Sequence, residues 1–288
     1  MGTSTSTFGS TRREGHDSSA FYKRFDAVVE DPDTTVNVPS EVDRYYVHSS
    51  EKMEELPDNC VDLMVTSPPY HTGKEYDTDD SFDDYLDFLG RVFEESYRVL
   101  KPGGRAAINI ANLGRKPYIP LTTFVNAMCL EIGYFPRGEI IWVKGKGANG
   151  SCAWGTFRSA VNPVIRDLHE YVLLFSKGRY SKVDDHVHSS TISREDFMQN
   201  TLSVWEIPPV SAKAIGHPAP FPVTLPRRLI ELYTFESDLV LDPFMGAGTT
   251  AVAAVETGRH WVGYDTDLGY MATATARLMK AKGIKDAI

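Results

Sequence analysis

At the end of the apolar run Val61-Asp62-Leu63-Met64-Val65 the chain reads Thr66-Ser67-Pro68-Pro69-Tyr70, which sets two hydroxyls, two prolines and an aromatic ring side by side. A strand halted in this way ends in a stiff turn, because proline lacks an N–H and restricts the residue before it, and the carbonyls of that turn have few internal partners. A hydroxyl and a proline carbonyl can together accept the hydrogens of an exocyclic amine, and the Tyr70 ring can stack on the heterocycle that carries it. The same residues also suit a plain strand followed by a proline-braked loop. The rest of the chain decides between these readings.

A second constellation lies near the C-terminus. Leu239-Val240-Leu241-Asp242-Pro243-Phe244-Met245-Gly246-Ala247-Gly248-Thr249-Thr250 reads as a strand feeding a glycine turn, and Ala251 to Val255 continue as a helix that Thr257-Gly258 stops. Glycines at such a turn let a ligand approach the backbone closely. His260 to Asp265 then form a second short strand, ending in an acid 17 residues after Gly248. A carboxylate there can accept the hydroxyls of a ribose. The glycine spacing also fits a loose dinucleotide fingerprint. Asp242 argues against that cofactor, since it would repel a pyrophosphate and attract a sulfonium or an ammonium. The balance favours S-adenosylmethionine, with a plain helix-capping acid as the alternative role of Asp242.

On these residues the chain resembles the DNA amino-methyltransferases in their permuted arrangement, the beta class. Thr66 to Tyr70 is similar to the family's catalytic motif in its N4-cytosine form, with Ser67, Pro68, Pro69 and Tyr70 as the catalytic set. Asp242, Pro243, Phe244, Gly246, Gly248, Thr249 and Thr250 are similar to its cofactor loop, with Asp265 beyond it. His217-Pro218-Ala219-Pro220-Phe221-Pro222, with Leu225 and Leu229-Ile230, resembles the segment that helps enclose the methionine part of the cofactor, which assigns His217, Pro218 and Pro222 to it. Gly138 to Lys144 resembles a strand whose aromatic residue, here Trp142, lies beside the flipped base. The likeness spans about residues 45 to 280. It departs at His48, which stands where the family carries an acid for the adenine end of the cofactor. That leaves a weaker contact from His48 or Ser49, a low cofactor affinity, or an ordinary strand-end histidine.

The resemblance implies direct methyl transfer from S-adenosylmethionine to the N4 amine of a cytosine flipped out of double-stranded DNA. Tyr70 and Trp142 would clamp the base, with Thr66, Lys144 and Arg158 on the substrate side. Ser67, where an acid is the usual adenine form, tilts the target toward cytosine. N6-adenine methylation is the near alternative, and a non-catalytic nucleic-acid-binding protein on the same fold the distant one. The family setting adds a cognate restriction endonuclease as a partner. Methylation at ring carbon 5 would need a nucleophilic cysteine after a proline, and Cys60, Cys129 and Cys152 all lack that context.

With 288 residues and 42% hydrophobic content, the chain can build one large α/β core. No apolar stretch approaches the roughly 20 residues needed to cross a bilayer, and no signal-peptide core follows the N-terminus. Three unpaired cysteines suit a reducing compartment, so a cytoplasmic, DNA-associated protein without membrane attachment is expected. His186 and His188 suit a solvated loop better than a metal site. The net charge of −9 opposes phosphate binding. Its distribution does not, because residues 51–95 hold 14 acids against 3 Lys or Arg, and residues 137–182 hold 8 Lys or Arg against 3 acids.

The elements that must position these residues follow from periodicity. Residues 1–20, rich in Ser, Thr and Gly, are expected to be a disordered tail, with the methyltransferase domain over 21–288. Ser81 should cap a helix whose apolar positions Phe82, Tyr85, Leu86, Leu89, Phe93, Tyr97 and Leu100 follow a 3.6-residue period. Strands at Ala106 to Ile110, Glu139 to Lys144 and Tyr171 to Phe175, with a helix from Leu121 to Ile132, extend an α/β pattern with an open, mostly parallel sheet. The catalytic half falls at about 45–177 and the cofactor half at about 216–288. The glycine- and aromatic-containing stretch from Gly145 to Asn162 is a candidate for entering a groove. Residues 178–215, with little apolar periodicity and Trp205, are expected to form a small inserted DNA-recognition segment.

Overall fold

Val61–Thr66 (β2) is buried along its whole length, as a strand covered on both sheet faces must be. In the computed structural model, which describes residue 24 and residues 29–70, 81–114, 116–145, 155–182, 189–210 and 221–283, β2 lies inside an eight-stranded sheet. The other strands are Arg44–Val47 (β1), Leu100–Ile110 (β3), Tyr134–Val143 (β6), His169–Lys177 (β7), Val204–Glu206 (β8), Leu239–Asp242 (β9) and His260–Asp265 (β10), and Leu113–Gly114 (β4) and Tyr118–Ile119 (β5) form a separate ladder. The order across the sheet is β1-β10-β9-β2-β3-β7-β6-β8. Among these strands β7 alone runs against its neighbours, so the sheet is mostly parallel, as expected. The chain divides into a unit over Met1–Pro32 and a unit over Asp33–Ile288 that holds every element named here.

Side chains of β2 alternate between two cores. Val61 and Met64 face a core containing Leu89 and Phe93 of Phe82–Val99 (α1) and Leu121 and Val125 of Leu121–Ile132 (α2). Leu63 and Val65 face another containing Leu225 and Leu229 of Thr224–Tyr233 (α4), Ala251 and Ala253 of Thr249–Glu256 (α5), and Leu278 of Leu268–Ala281 (α6). Helices therefore cover both faces. Ser81 starts α1 with a capping box, its hydroxyl accepting from the Asp84 N–H while the Asp84 carboxylate accepts from the Ser81 N–H.

β2 and β9 are neighbours in space but come from opposite ends of the chain. Leu63 pairs with Val240 and Met64 with Leu241. At the N-terminal ends of the two strands a buried ion cluster holds them. Asp62 accepts from Lys101 Nζ at 2.7 Å, Lys182 Nζ at 3.3 Å and the Leu239 N–H at 3.0 Å, and Lys182 also reaches Asp238 at 3.1 Å. Burial raises the Asp62 pKa, but the two lysines outweigh it and hold the carboxyl below its ordinary value. Gly103 makes the arrangement possible, since a Cβ there would come within 2.2 Å of the Ser181 carbonyl and push away the segment that delivers Lys182.

The 178–215 region differs from the expected inserted segment. Among its described residues, Arg194–Asn200 (α3) is a helix capped by Ser193, β8 pairs in parallel with β6, and Trp205 is 1% exposed in the core. This stretch extends the main sheet, and its short strand was hidden because three residues carry no period. The basic stretch is also partly spent inside the protein. Lys144 pairs with Glu170, Lys177 donates to Asn59 and to the Arg98 carbonyl, and Lys182 serves the Asp62 cluster. No helix among the described residues is long and apolar enough to cross a membrane. The tail at 1–20, Lys146, Cys152, His186 and His188 lie outside the described residues.

Asp62→Asn keeps an acceptor for the Leu239 N–H but removes the charge that both lysines face. Urea unfolding at pH 7 is expected to show a loss of about 3 kcal/mol. Because the folded pKa of Asp62 is depressed, its contribution is full above the unfolded value of about 4 and is lost as pH falls through the folded value, so the gap between wild type and variant should close in that acid range.

Candidate active site

Between β9 and β2 the direction of winding reverses, because β9 leads through α5 outward to β10 while β2 leads through α1 the other way to β3. Open α/β sheets bind ligands at the carboxyl ends of the strands at such a point. Here the two strand ends present Thr66 and Asp242, and the Thr66 hydroxyl donates to Asp242 Oδ1 at 2.7 Å. The two motifs expected to hold substrate and cofactor, with Thr66 and Asp242 176 residues apart in sequence, are thus joined by one hydrogen bond.

On the cofactor side, Asp242 is 3% exposed and also accepts from the Phe244 N–H at 3.1 Å. Burial pushes its carboxyl up to about 6 despite the Thr250 and Thr66 hydroxyls. Gly246 has a φ of 47°, and its N–H donates to Asp265 Oδ2 at 2.8 Å, so the acid at the end of β10 fixes the glycine turn. Burial raises the Asp265 pKa as well. Gly248 opens α5 with a φ of 76°, and a Cβ there would lie 2.8 Å from the Ala274 Cβ, so the turn demands glycine on conformation and on space. The Ser50 hydroxyl donates to the Pro243 carbonyl at 2.8 Å, and the Phe244 ring meets Phe88 edge-on.

Thr249 and Thr250 are both buried and committed to protein partners. Thr249 accepts from Arg277, and the Thr250 hydroxyl lies within reach of both Asp242 and the Val65 carbonyl, the latter at 3.3 Å, so both are held within the protein rather than presented as free hydroxyls. His48 lies just beyond β1, which pairs with β10. Its Nε2 is 2.9 Å from Glu55 and its Nδ1 is 2.9 Å from the Ser49 carbonyl, which outweigh burial and raise its pKa. Its ring meets Tyr264 edge-on, and Tyr264 donates to the other oxygen of Glu55 at 3.2 Å. Sequence reading missed Glu55, which brings an acid beside the histidine that replaces one. Pro222 is buried at the start of α4, its carbonyl accepting from the Leu225 N–H. His217 and Pro218 lie outside the described residues.

On the catalytic side, Tyr85 of α1 donates to the Pro69 carbonyl at 2.8 Å and braces the proline turn. Ser67 Oγ lies 3.3 Å from the Tyr70 hydroxyl and 3.4 Å from Asn109 Nδ2. Asn109 Nδ2 donates to Glu170 Oε2 at 2.8 Å, and Lys144 pairs with Glu170 Oε1. Burial and the Glu170 charge raise the Tyr70 pKa well above 10, so the phenol stays protonated. Asn109 and Glu170 were not singled out from sequence. They sit on adjacent antiparallel strands, β3 and β7, and only that register brings them to Ser67. The single cue was a polar Asn109 inside the apolar run Ala106 to Ile110.

Of two residues expected on the substrate side, Trp142 is placed differently. Trp142 is 2% exposed and its indole N–H donates to the Ile207 carbonyl at 2.8 Å, so it is a core ring rather than an open stacking face. Arg158 is exposed on the chain between β6 and β7, with a φ of 56° and its guanidinium 5.3 Å from the exposed Phe157 ring. That connection leaves β6 at the same sheet end as Ser67, although Arg158 makes no contact with the Ser67 cluster.

A family model described as DNA methylase, of the N6/N4 methyltransferase type, matches residues 61–276. Type II methyltransferase M.MjaI of Methanocaldococcus jannaschii is 31% identical over 258 residues, covering 76% of this chain and 85% of that protein. TTHA0409 from Thermus thermophilus, solved in complex with S-adenosyl-L-methionine, matches with a TM-score of 0.67 and 31% identity over 82% of this chain and 95% of that one. The PvuII DNA methyltransferase (cytosine-N4-specific) shares the fold, with a TM-score of 0.66 and 21% identity over 87% of this chain and 95% of that one. A buried carboxylate at the end of β9, a glycine turn pinned by a second acid and the partly buried Phe244 ring form a donor set that suits a cationic nucleoside. The chain belongs to the N6/N4 family of DNA methylases and uses S-adenosylmethionine as its methyl donor.

Proposed function

We propose that the protein is a site-specific DNA (cytosine-N4) methyltransferase, acting on double-stranded DNA beside a cognate restriction endonuclease. The observation that carries this reading is the neutral hydroxyl of Ser67 at the switch point, next to the Thr66–Asp242 hydrogen bond. Ser67 and the Pro68 carbonyl, which receives no hydrogen bond among the described residues, supply two acceptors for one amine. A neutral acceptor pair suits the N4 amine of cytosine.

That amine is a weak nucleophile because its lone pair is delocalised into the ring. Accepting its two hydrogens at Ser67 Oγ and Pro68 O favours a tetrahedral nitrogen whose lone pair points away from the turn. When bound, S-adenosylmethionine supplies an electrophilic methyl on a sulfonium. The Asp242 carboxylate would hold positive charge of the bound cofactor near the acceptor turn, while Asp265 holds the glycine turn in shape. The amine is inaccessible inside a stacked duplex, so the base must be flipped out, with the half-buried Tyr70 ring as its stacking partner. No covalent enzyme intermediate is required. Cys60 and Cys129 are buried, burial pushing the Cys60 thiol up to about 12, which suits neither to nucleophilic attack. Arg158 and the exposed Phe157 beside it face solvent at the same sheet end and suit contact with the nucleic acid.

Incubation with labelled S-adenosylmethionine and mixed-sequence duplex DNA, followed by digestion and mass analysis, should place the label on N4-methylcytosine. Label on N6-methyladenine would overturn the base assignment, and no label on any base would overturn the enzymatic reading. Ser67→Ala is expected to lower the single-turnover rate by about 100-fold or more while calorimetric cofactor affinity stays within about twofold.

Asp242 gives a pH prediction. Its carboxyl titrates near 6 in the free protein, and a bound cation lowers that value. Binding below about pH 6 must therefore expel a proton, so cofactor affinity should fall with acidification, approaching about tenfold per pH unit. Calorimetry in buffers of different ionisation enthalpy should detect the released proton. Asp242→Asn should bind more weakly at pH 7.5 and lose most of this dependence, leaving the smaller contribution of Asp265.

A further inference from the structure

Ser67 can accept a hydrogen from the substrate amine only if its own O–H points elsewhere. A hydroxyl has one hydrogen and two lone pairs, and it rotates to suit its surroundings. In a site holding Tyr70 and Asn109 the direction of each hydrogen is open until one member is fixed. Glu170 is that member, because a carboxylate can only accept. Its Oε2 takes the Asn109 amide N–H at 2.8 Å and lies 3.4 Å from the Tyr70 hydroxyl, while Oε1 faces Lys144.

We propose that Glu170 is a positioning residue that orders the hydroxyl chain Ser67 to Tyr70 to Glu170 and so turns a lone pair of Ser67 Oγ toward the substrate amine. This inference rests on the amine-methylating reading given above. The donor count closes. Tyr70 donates to Glu170, Ser67 donates to Tyr70 across 3.3 Å, and the second N–H of Asn109 is shared between Tyr70 Oη at 3.3 Å and Ser67 Oγ at 3.4 Å. Ser67 Oγ keeps one lone pair for the amine. The Asn109 backbone carbonyl, 3.5 Å from the Tyr70 hydroxyl, is a second but neutral acceptor, so the charged Glu170 carboxylate is the stronger anchor for that O–H. With the anchor weakened, the Tyr70 O–H can turn to Ser67, and Ser67 would then point its hydrogen at the amine it must accept from.

The buried Asn109 Oδ1 has no hydrogen-bond partner among the described residues, which fits an amide turned to give its N–H to the Glu170 carboxylate. An orphaned buried acceptor is costly, and rotating the amide by 180° would move that oxygen. The rotation is blocked, since it would set Oδ1 against the Glu170 carboxylate.

The test is a double-mutant cycle on the single-turnover methyl-transfer rate, using Glu170→Gln, Tyr70→Phe and the double variant, with Glu170→Asp as the conservative control. Glu170→Gln introduces an amide that can donate to Tyr70 and reverse the chain. Each single variant is expected to lose about 30-fold in rate, with cofactor affinity and DNA KM within about twofold of wild type and an unchanged melting temperature. The double variant should be no slower than the slower single variant, since either change already breaks the ordering. Glu170→Asp, which keeps a pure acceptor, should recover part of the loss. A Glu170→Gln rate within about threefold of wild type, or losses that multiply in the double variant, would overturn the proposal. A melting temperature that falls together with the rate would also overturn it, in favour of a role confined to the Lys144 ion pair. Wild-type protein run alongside separates the two levels. Failure of wild type to methylate any amine overturns the functional reading, whereas normal wild-type transfer with an indifferent Glu170→Gln overturns the hydroxyl ordering alone.

Discussion

The structure depends on the pairing of β2 with β9. Each strand is a short apolar run, and each ends in one of the two motifs singled out from the sequence. Parallel pairing of Leu63 with Val240 and Met64 with Leu241 aligns the two strand ends, and the register brings Thr66 to Asp242. Polar groups clamp both ends of this seam, with Asp62, Lys101, Lys182 and Asp238 at one end and the Thr66–Asp242 hydrogen bond at the other. The apolar middle favours association, while the polar ends make a shifted register expensive, because any slip would strand a buried charge.

The polar clusters divide the work. The Asp62 cluster holds two anions against two cations, and its carboxyl is held below its ordinary value. The Asp242 site keeps a buried acid without a cation among the described residues, and burial raises its carboxyl above the ordinary range. The same residue type, a similar depth of burial and the same pair of strands thus give opposite shifts, and the presence of lysine decides the sign. One anion is neutralised within the fold, while the other lacks a cation among the described residues, as the cofactor role proposed for it requires.

What the sequence revealed and what it hid follow the same physics. Thr66 to Tyr70 and Asp242 to Thr250 were legible because each is a local strand-to-turn event with proline or glycine fixing the backbone, and the α1 cap was legible from Ser81 and Asp84. Asn109 and Glu170 were hidden because an antiparallel register, with no fixed sequence offset, brings them to Ser67. Glu55 escaped in part for a similar reason, since its contact with His48 is local but it meets Tyr264 only after β1 joins β10. Trp142 misled because the resemblance assigned it to the base, and Trp205 because its segment shows little apolar periodicity, whereas pairing of β6 with β8 buries both. The basic stretch misled in part because formal charge says nothing about internal partners, and Lys144, Lys177 and Lys182 all have them.

The long-range seam also has a meaning for biosynthesis. A ribosome delivers β2 well before β9, since 176 residues separate Thr66 from Asp242. Throughout that interval the nascent strand Val61–Thr66 can gain β3 on one side, yet its other edge, apolar and fully buried in the finished fold, has no native partner. β1 waits equally long, as its neighbour in the sheet is β10. An open apolar edge is a template for association with other chains, so an incompletely synthesised polypeptide is both inactive and sticky. Completion of the C-terminal segment closes that edge and assembles the methyl-transfer site in the same event, which denies any shortened chain a half-built enzyme.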